Sequence, residues 1–174
     1  MLENIFNDDA RLKAPYRQLV MAALVVYALM IAVMCFSPQV SISSVTTPNI
    51  WYLGRLRLLL VPFNSLVSLS QLSTVWEVIW VIGQNILNIF LLYPLGFCLY
   101  LLWERWSSPL KALQLGFSIS ITIEVTQLVL DWLFDFNRVF ELDDLWTNAL
   151  GVWLAYWSVA WVKKKWLSSK RHLE

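Results

Sequence analysis

From Gln18 to Phe36 the chain runs through nineteen residues without a single Asp, Glu, Lys or Arg. A helix needs roughly 20 apolar residues to cross a hydrocarbon core of about 30 Å, so this stretch is long enough to span a bilayer. Three more stretches approach the same standard, at 75–103, 110–133 and 145–162. Across the chain 59% of residues are apolar and 14% charged, where a soluble domain carries about a quarter charged. Lipid is therefore the solvent for most of the sequence. A backbone in lipid must satisfy its own hydrogen bonds, and helices do so within one segment. The expected fold is an all-α membrane protein with four transmembrane helices and a re-entrant or interfacial segment in the first outer loop. A kink is expected at Pro94.

Basic residues set the orientation. With the N-terminus inside, ten of the thirteen Lys and Arg residues lie on the inner side and only Arg55, Arg57 and Arg138 lie outside. That bias places both termini in the cytoplasm. Trp51, Trp76, Trp132 and Trp146 then fall near the outer boundary, and Trp103, Trp106, Trp161 and Trp166 near the inner one. The first apolar run exceeds a signal-peptide core and lacks small-residue cleavage spacing, so it reads as an uncleaved anchor. The chain divides into a cytoplasmic arm (1–17), a transmembrane domain (18–162) and a basic cytoplasmic tail (163–174). The arm reads equally as an interfacial segment or a disordered tail. Cys35 and Cys98 belong to opposite ends of their helices and cannot pair. His172, the lone histidine, sits in the tail, so neither a metal nor a cofactor is expected.

The loop at 37–74 is the largest polar piece. Within it, residues 58–61 are too short to span and end at Pro62, which suggests a segment in the outer interface or dipping back toward the bundle. A second outer loop gathers Asp131, Asp135, Glu141, Asp143 and Asp144 around Arg138. The first three of these carboxylates read as solvated loop charges.

Polar side chains inside a span are costly and turn inward, toward partners or function. Ser120, Glu124, Gln127 and Asp131 follow spacings of four, three and four and so share one helix face. Asn85 and Asn88 share a face of the second helix. On the fourth, Asp144, Asn148, Gly151 and Ala155 form a carboxylate, an amide and then a small-residue strip that permits close approach. Three such faces imply one pocket opening outward, with Arg138 and Arg57 as cations, Glu124, Asp143 and Asp144 as carboxylates, and Asn88, Gln127 and Asn148 as amides. Each residue also has a structural reading. Asn85 can be interhelical glue, Asp143 and Asp144 can offset a helix dipole, Glu124 can be a protonated hydrogen-bond donor, and Arg138 can be the partner of Glu124 or Asp144.

Four blocks then fall into a recognisable order: RLLLVPFNS at 57–65, NIFLLYPLG at 88–96, SITIEVTQ at 120–127 and RVFELDDLWTNALG at 138–151. Together they resemble the VanZ-like family over residues 57–156. Leu92, where the family carries Phe, and the additional Asn85 are the departures. The resemblance implies a multi-pass protein of the bacterial plasma (inner) membrane, envelope biology and a role in resistance to the lipoglycopeptide teicoplanin. It leaves the reaction open.

Three functions fit. The first is a binding module that holds an anionic lipid-linked or lipidated envelope molecule, such as a polyprenyl-linked precursor or a lipoglycopeptide, through Arg138, with Asn88, Gln127 and Asn148 orienting it. An intramembrane hydrolase or transferase using Glu124, Asp144 and Arg138 is the alternative, although the intramembrane His and the Ser or Cys nucleophile arrangements of familiar hydrolases are missing. The third is a small transporter or scramblase with Glu124 as its proton site. Membrane lipids are the expected partners and nucleic acid is not; the sequence leaves the oligomeric state open.

Overall fold

The computed structural model describes residues 5–40, 48–72, 74–103 and 108–171. Arg105, Trp106 and His172, which entered the reading of topology and metal chemistry, lie outside these. The chain order is α1 (Ala14–Phe36), β1 (Trp51–Leu53), β2 (Leu56–Leu59), α2 (Asn64–Val67), a 3-10 turn (Ser68–Gln71), α3 (Val75–Leu102), α4 (Pro109–Phe134), β3 (Val139–Glu141) and α5 (Leu142–Arg171).

Local chemistry fixes the helix ends. Thr74 and Glu77 form a reciprocal capping box at the start of α3, which satisfies two of the amides a helix start leaves unpaired. Ser108 caps α4 by accepting from the Lys111 N–H, with Pro109 in the first turn, where no amide donor is needed. Pro94 sits inside α3 without ending it. Its missing N–H leaves the Phe90 carbonyl without a helical donor. The Tyr27 hydroxyl of α1 reaches this region, 3.5 Å from the Phe90 carbonyl and 3.0 Å from that of Leu91.

The four long helices run antiparallel in succession, with α5 packed mainly on α3 and α4. Small residues permit this. A side chain at Gly151 would collide with the Ile89 carbonyl, and one at Gly116 would come within 2.6 Å of the Ala149 Cα. The core formed there contains Leu92, Ile123, Val152, Ala155 and Val159. In contrast, α1 is peripheral, and Leu19, Val25, Val26, Leu29, Met30, Val33 and Met34 are all exposed on it. These apolar side chains suit lipid.

Helices α1, α3 and α4 are each long and apolar enough to cross a membrane. Helix α5 is long enough at 30 residues, but falls below the same hydropathy standard. Its central stretch carries Trp146, Trp153, Tyr156, Trp157 and Trp161, whose amphipathic rings lower mean hydropathy while burying large apolar areas.

The fold is not purely helical. β1 and β2 form an antiparallel hairpin turning through Gly54, whose φ is +63°, and β2 pairs in parallel with β3 through Arg57–Val139, Leu58–Phe140 and Leu59–Glu141. This three-stranded sheet sits at the end of the bundle where α1 and α4 finish and α3 and α5 begin. Leu58 and Leu59, expected in a re-entrant or interfacial segment, are strand residues here. Edge pairing with a segment eighty residues later satisfies their backbone groups. At the opposite end the arm packs on α5, with Phe6 and Ala10 buried against Trp166 and the Trp166 indole donating to the Asn7 carbonyl at 3.2 Å.

Candidate functional site

At the sheet end the bundle encloses a cavity of about 380 Å³ between α1, α3, α4 and α5. Helix α4 contributes its polar face: Ser120, Glu124, Gln127 and Asp131 are all buried, which is what a stripe with spacings of four, three and four requires. Glu124 and Gln127 line the cavity. The Gln127 amide donates to the Cys35 carbonyl at 2.9 Å and so ties α1 to α4. Glu124 accepts from the Glu141 N–H at 3.2 Å.

Helices α3 and α5 close the other walls. The Asn88 amide donates to the Asp144 carboxylate at 2.5 Å, and the Ser120 hydroxyl donates to the Asp144 carbonyl at 3.0 Å. Asn148 donates to the Ser120 hydroxyl oxygen at 3.0 Å. Its side-chain amide oxygen, Oδ1, is buried without a hydrogen-bond partner among the described residues. An orphaned buried acceptor costs about 1–3 kcal/mol and marks a place where a donor is wanted.

Arg138 enters from the segment before β3. Its guanidinium donates to the Ser37 carbonyl at 3.1 and 2.8 Å and to the Met34 carbonyl at 2.6 Å. It thus sits at the C-terminus of α1, where carbonyls lack helical donors and the dipole favours a cation. Among the described residues no carboxylate forms an ion pair with it, so neither Glu124 nor Asp144 is its structural partner. Its hydrogen bonds go to backbone carbonyls, and its charge faces the cavity that Glu124 also lines, where the two interact electrostatically without forming an ion pair. On the side between α1 and α3 the cavity rim is Met34, Leu87 and Phe90, apolar side chains each more than half exposed.

Three of the expected site residues lie elsewhere. Arg57 pairs with Asp131 at 3.0 Å and with Asp135 at 3.1 Å, bracing β2 against the end of α4. Asp143 accepts from the Phe63 N–H at 2.7 Å, the Ser65 N–H at 3.5 Å and the Trp146 indole at 3.1 Å. Asn85 donates to the Ser65 hydroxyl at 2.5 Å. Asp143 and Asn85 hold the segment carrying Pro62 and Phe63 in place, Arg57 braces β2, and none of the three lines the cavity. Phe63 there has φ +53°, a left-handed conformation that a side chain enters only when held.

Two carboxylates read as solvated loop charges are corrected. Asp131 is buried and accepts from both Arg57 and the Arg138 N–H, the latter at 3.0 Å. The helical stripe already pointed to it, since Asp131 continues the spacing of Ser120, Glu124 and Gln127. Glu141 is half-buried at the end of β3, where burial first and the neighbouring Asp143 carboxylate second push its carboxyl up to about 7. Asp135 is exposed as expected. Tyr27 and Cys35 also line the cavity from α1. An aromatic and a thiol within an apolar run carry no signal that would have found them.

A largely helical bundle with membrane-length apolar helices and a polar cavity lined by carboxyl and amide groups at one end is the architecture of a membrane protein. The VanZ/LLP1 family model matches residues 23–163, and the chain belongs to that family. No curated protein and no solved structure matches it.

Proposed function

We propose that the cavity binds the anionic head of a lipid-linked or lipidated envelope molecule at the outer face of the bacterial plasma membrane. The observation carrying this reading is the Arg138 guanidinium, hydrogen-bonded to backbone carbonyls, without an ion-pair partner among the described residues, and facing a polar cavity. A guanidinium in such a place favours phosphate or carboxylate in a two-pronged contact, strengthened where water is scarce. The orphaned Asn148 Oδ1 calls for an amide or hydroxyl donor nearby. Glu124 and Asp144 suit sugar hydroxyls or amines. About 380 Å³ lies at the small end of ligand pockets, enough for a head group but not for a long chain. The apolar rim between α1 and α3 lets that chain stay in lipid. Sequestering a lipoglycopeptide in the same way would account for a role in teicoplanin resistance.

The binding reading needs α5 to be a fourth span, with both termini cytoplasmic and the sheet at the outer interface. Its support is geometric: α5 starts beside the sheet and reaches Phe6 and Asn7 at the far end, as α3 does with Leu101 and Trp103. The arm and the basic tail then share the cytoplasmic side. A second reading, an intramembrane hydrolase or transferase, is favoured by one observation, the two carboxyls Glu124 and Asp144 facing one cavity with Arg138. In that scheme one carboxyl is a general acid or base and Arg138 stabilises the developing anion.

Purified protein in lipid discs, incubated with excess polyprenyl phosphate or a lipopeptide, separates the two. Saturable one-to-one binding with unchanged ligand by mass spectrometry is the expected result. Multiple turnovers abolished by Glu124→Gln would replace the binding module with the enzyme.

A further inference from the structure

At the opposite end of the bundle, two cavities meet at Leu12 and Arg17. One, of about 410 Å³, is rimmed by Arg11, Arg17 and Lys163 over Leu101, Leu102 and Trp103. The other, a groove of about 810 Å³, continues along α1 past Met21, Ala22, Val25 and Val26. The arm is fastened where it must be for this arrangement to persist. The Lys13 N–H donates to the Ile5 carbonyl at 3.0 Å and the Ala10 N–H to the Asn7 carbonyl at 3.0 Å, while Phe6 and Ala10 are buried on Trp166. Three cations from three parts of the chain, Arg11 in the arm, Arg17 in α1 and Lys163 in α5, are thereby brought to one rim.

We propose that this pair of cavities is a site for an anionic phospholipid of the leaflet at the chain termini. The phosphate lies among Arg11, Arg17 and Lys163, and one acyl chain lies along the α1 groove. Charge and polarity divide as such a lipid divides. The cationic rim gives way at Arg17 to an apolar trough running from Arg17 to Val26, about 13 Å along the helix axis. Trp103 beside the rim suits the head-group level. A cation near a membrane surface favours an anionic head group by about fivefold, and Arg17 stands where the rim and the groove meet. Free phosphate would use the cations but has nothing to place in the groove. The site is remote from Arg138 and does not depend on the reading proposed for that cavity.

Delipidated full-length protein in mild detergent, titrated with phosphatidylglycerol or with phosphatidylcholine of the same chains and read by native mass spectrometry, tests the proposal. Phosphatidylglycerol should bind saturably and more tightly, and weaken as salt is added. Arg17→Gln should weaken it about fivefold. Ala22→Trp, which fills the groove from an exposed position, should weaken both lipids while preserving the charge preference. Lys111→Gln, at an exposed cation that lines neither cavity, should leave phosphatidylglycerol binding unchanged. Equal binding of the two lipids would overturn the proposal. So would inorganic phosphate stabilising the protein as much as the lipid does, or a loss seen with Lys111→Gln and not with Arg17→Gln.

Discussion

Arg57 on β2 and Arg138, the residue just before β3, share the carboxylate of Asp131, yet their surroundings differ. Arg57 spends its guanidinium on two carboxylates, Asp131 and Asp135, whereas Arg138 gives Asp131 only its backbone N–H and keeps its guanidinium for carbonyls at the end of α1. Around Arg57 charge is matched and the result is a brace. Around Arg138 a cation, an orphaned acceptor and two carboxyls remain open to a cavity. What separates scaffold from site here is whether the charges are already satisfied.

Breaking the brace should have the largest effect on stability. Asp131→Ala removes a buried carboxylate that serves two partners, and loss of one member of a buried pair costs about 3–5 kcal/mol. Arg57 keeps some water, its side chain being 21% exposed, so a loss of about 3 kcal/mol is expected in unfolding of the detergent-solubilised protein. Gly151→Ala should come next, at about 1–3 kcal/mol, because the added methyl meets the Ile89 carbonyl and drives α3 and α5 apart. Arg138→Gln should cost only about 0.3–1 kcal/mol, the worth of a cation at a helix C-terminus, while reducing anionic ligand binding at least about tenfold. A stability loss from Arg138→Gln as large as that from Asp131→Ala would erase the distinction between the two arginines.

A further effect concerns pH. Glu141 has an ordinary value of 4.5 and is raised to about 7 in the fold by burial and by Asp143. Between those values the folded protein holds a proton that the unfolded chain has released. The contribution is therefore full below about 4.5 and is lost as pH rises through about 7. Thermal unfolding across that window should show the melting temperature falling as pH rises, with a shallower slope in Glu141→Gln. An unchanged slope would mean that Glu141 is solvated after all.

The sequence revealed most where the physics is local. Lipid demands uninterrupted apolar helices, so α1, α3 and α4 are visible as runs. The four-three-four spacing from Ser120 to Asp131 picks out the buried face of α4, and Gly151 and Ala155 mark close approach to α3. Helix α5 shows less clearly because its bulk is tryptophan, apolar in packing but not in hydropathy. The sheet was invisible: β2 and β3 are four and three residues long, and their parallel pairing joins segments eighty residues apart. That pairing also decides which arginine is braced. Nothing within a few residues of Arg57, Asp143 or Asn85 announces that Arg57 braces the sheet and the other two hold the segment around Phe63 instead of lining a pocket, since their partners come from distant parts of the chain.

The most direct test compares the two arginines as ligand determinants. Binding of a polyprenyl phosphate to protein in lipid discs should be saturable, about tenfold or more weaker in Arg138→Gln, and little changed in Arg57→Lys. Equal binding by wild type and Arg138→Gln, or a loss confined to the Arg57 variant, would contradict the claim that the unmatched guanidinium makes the site.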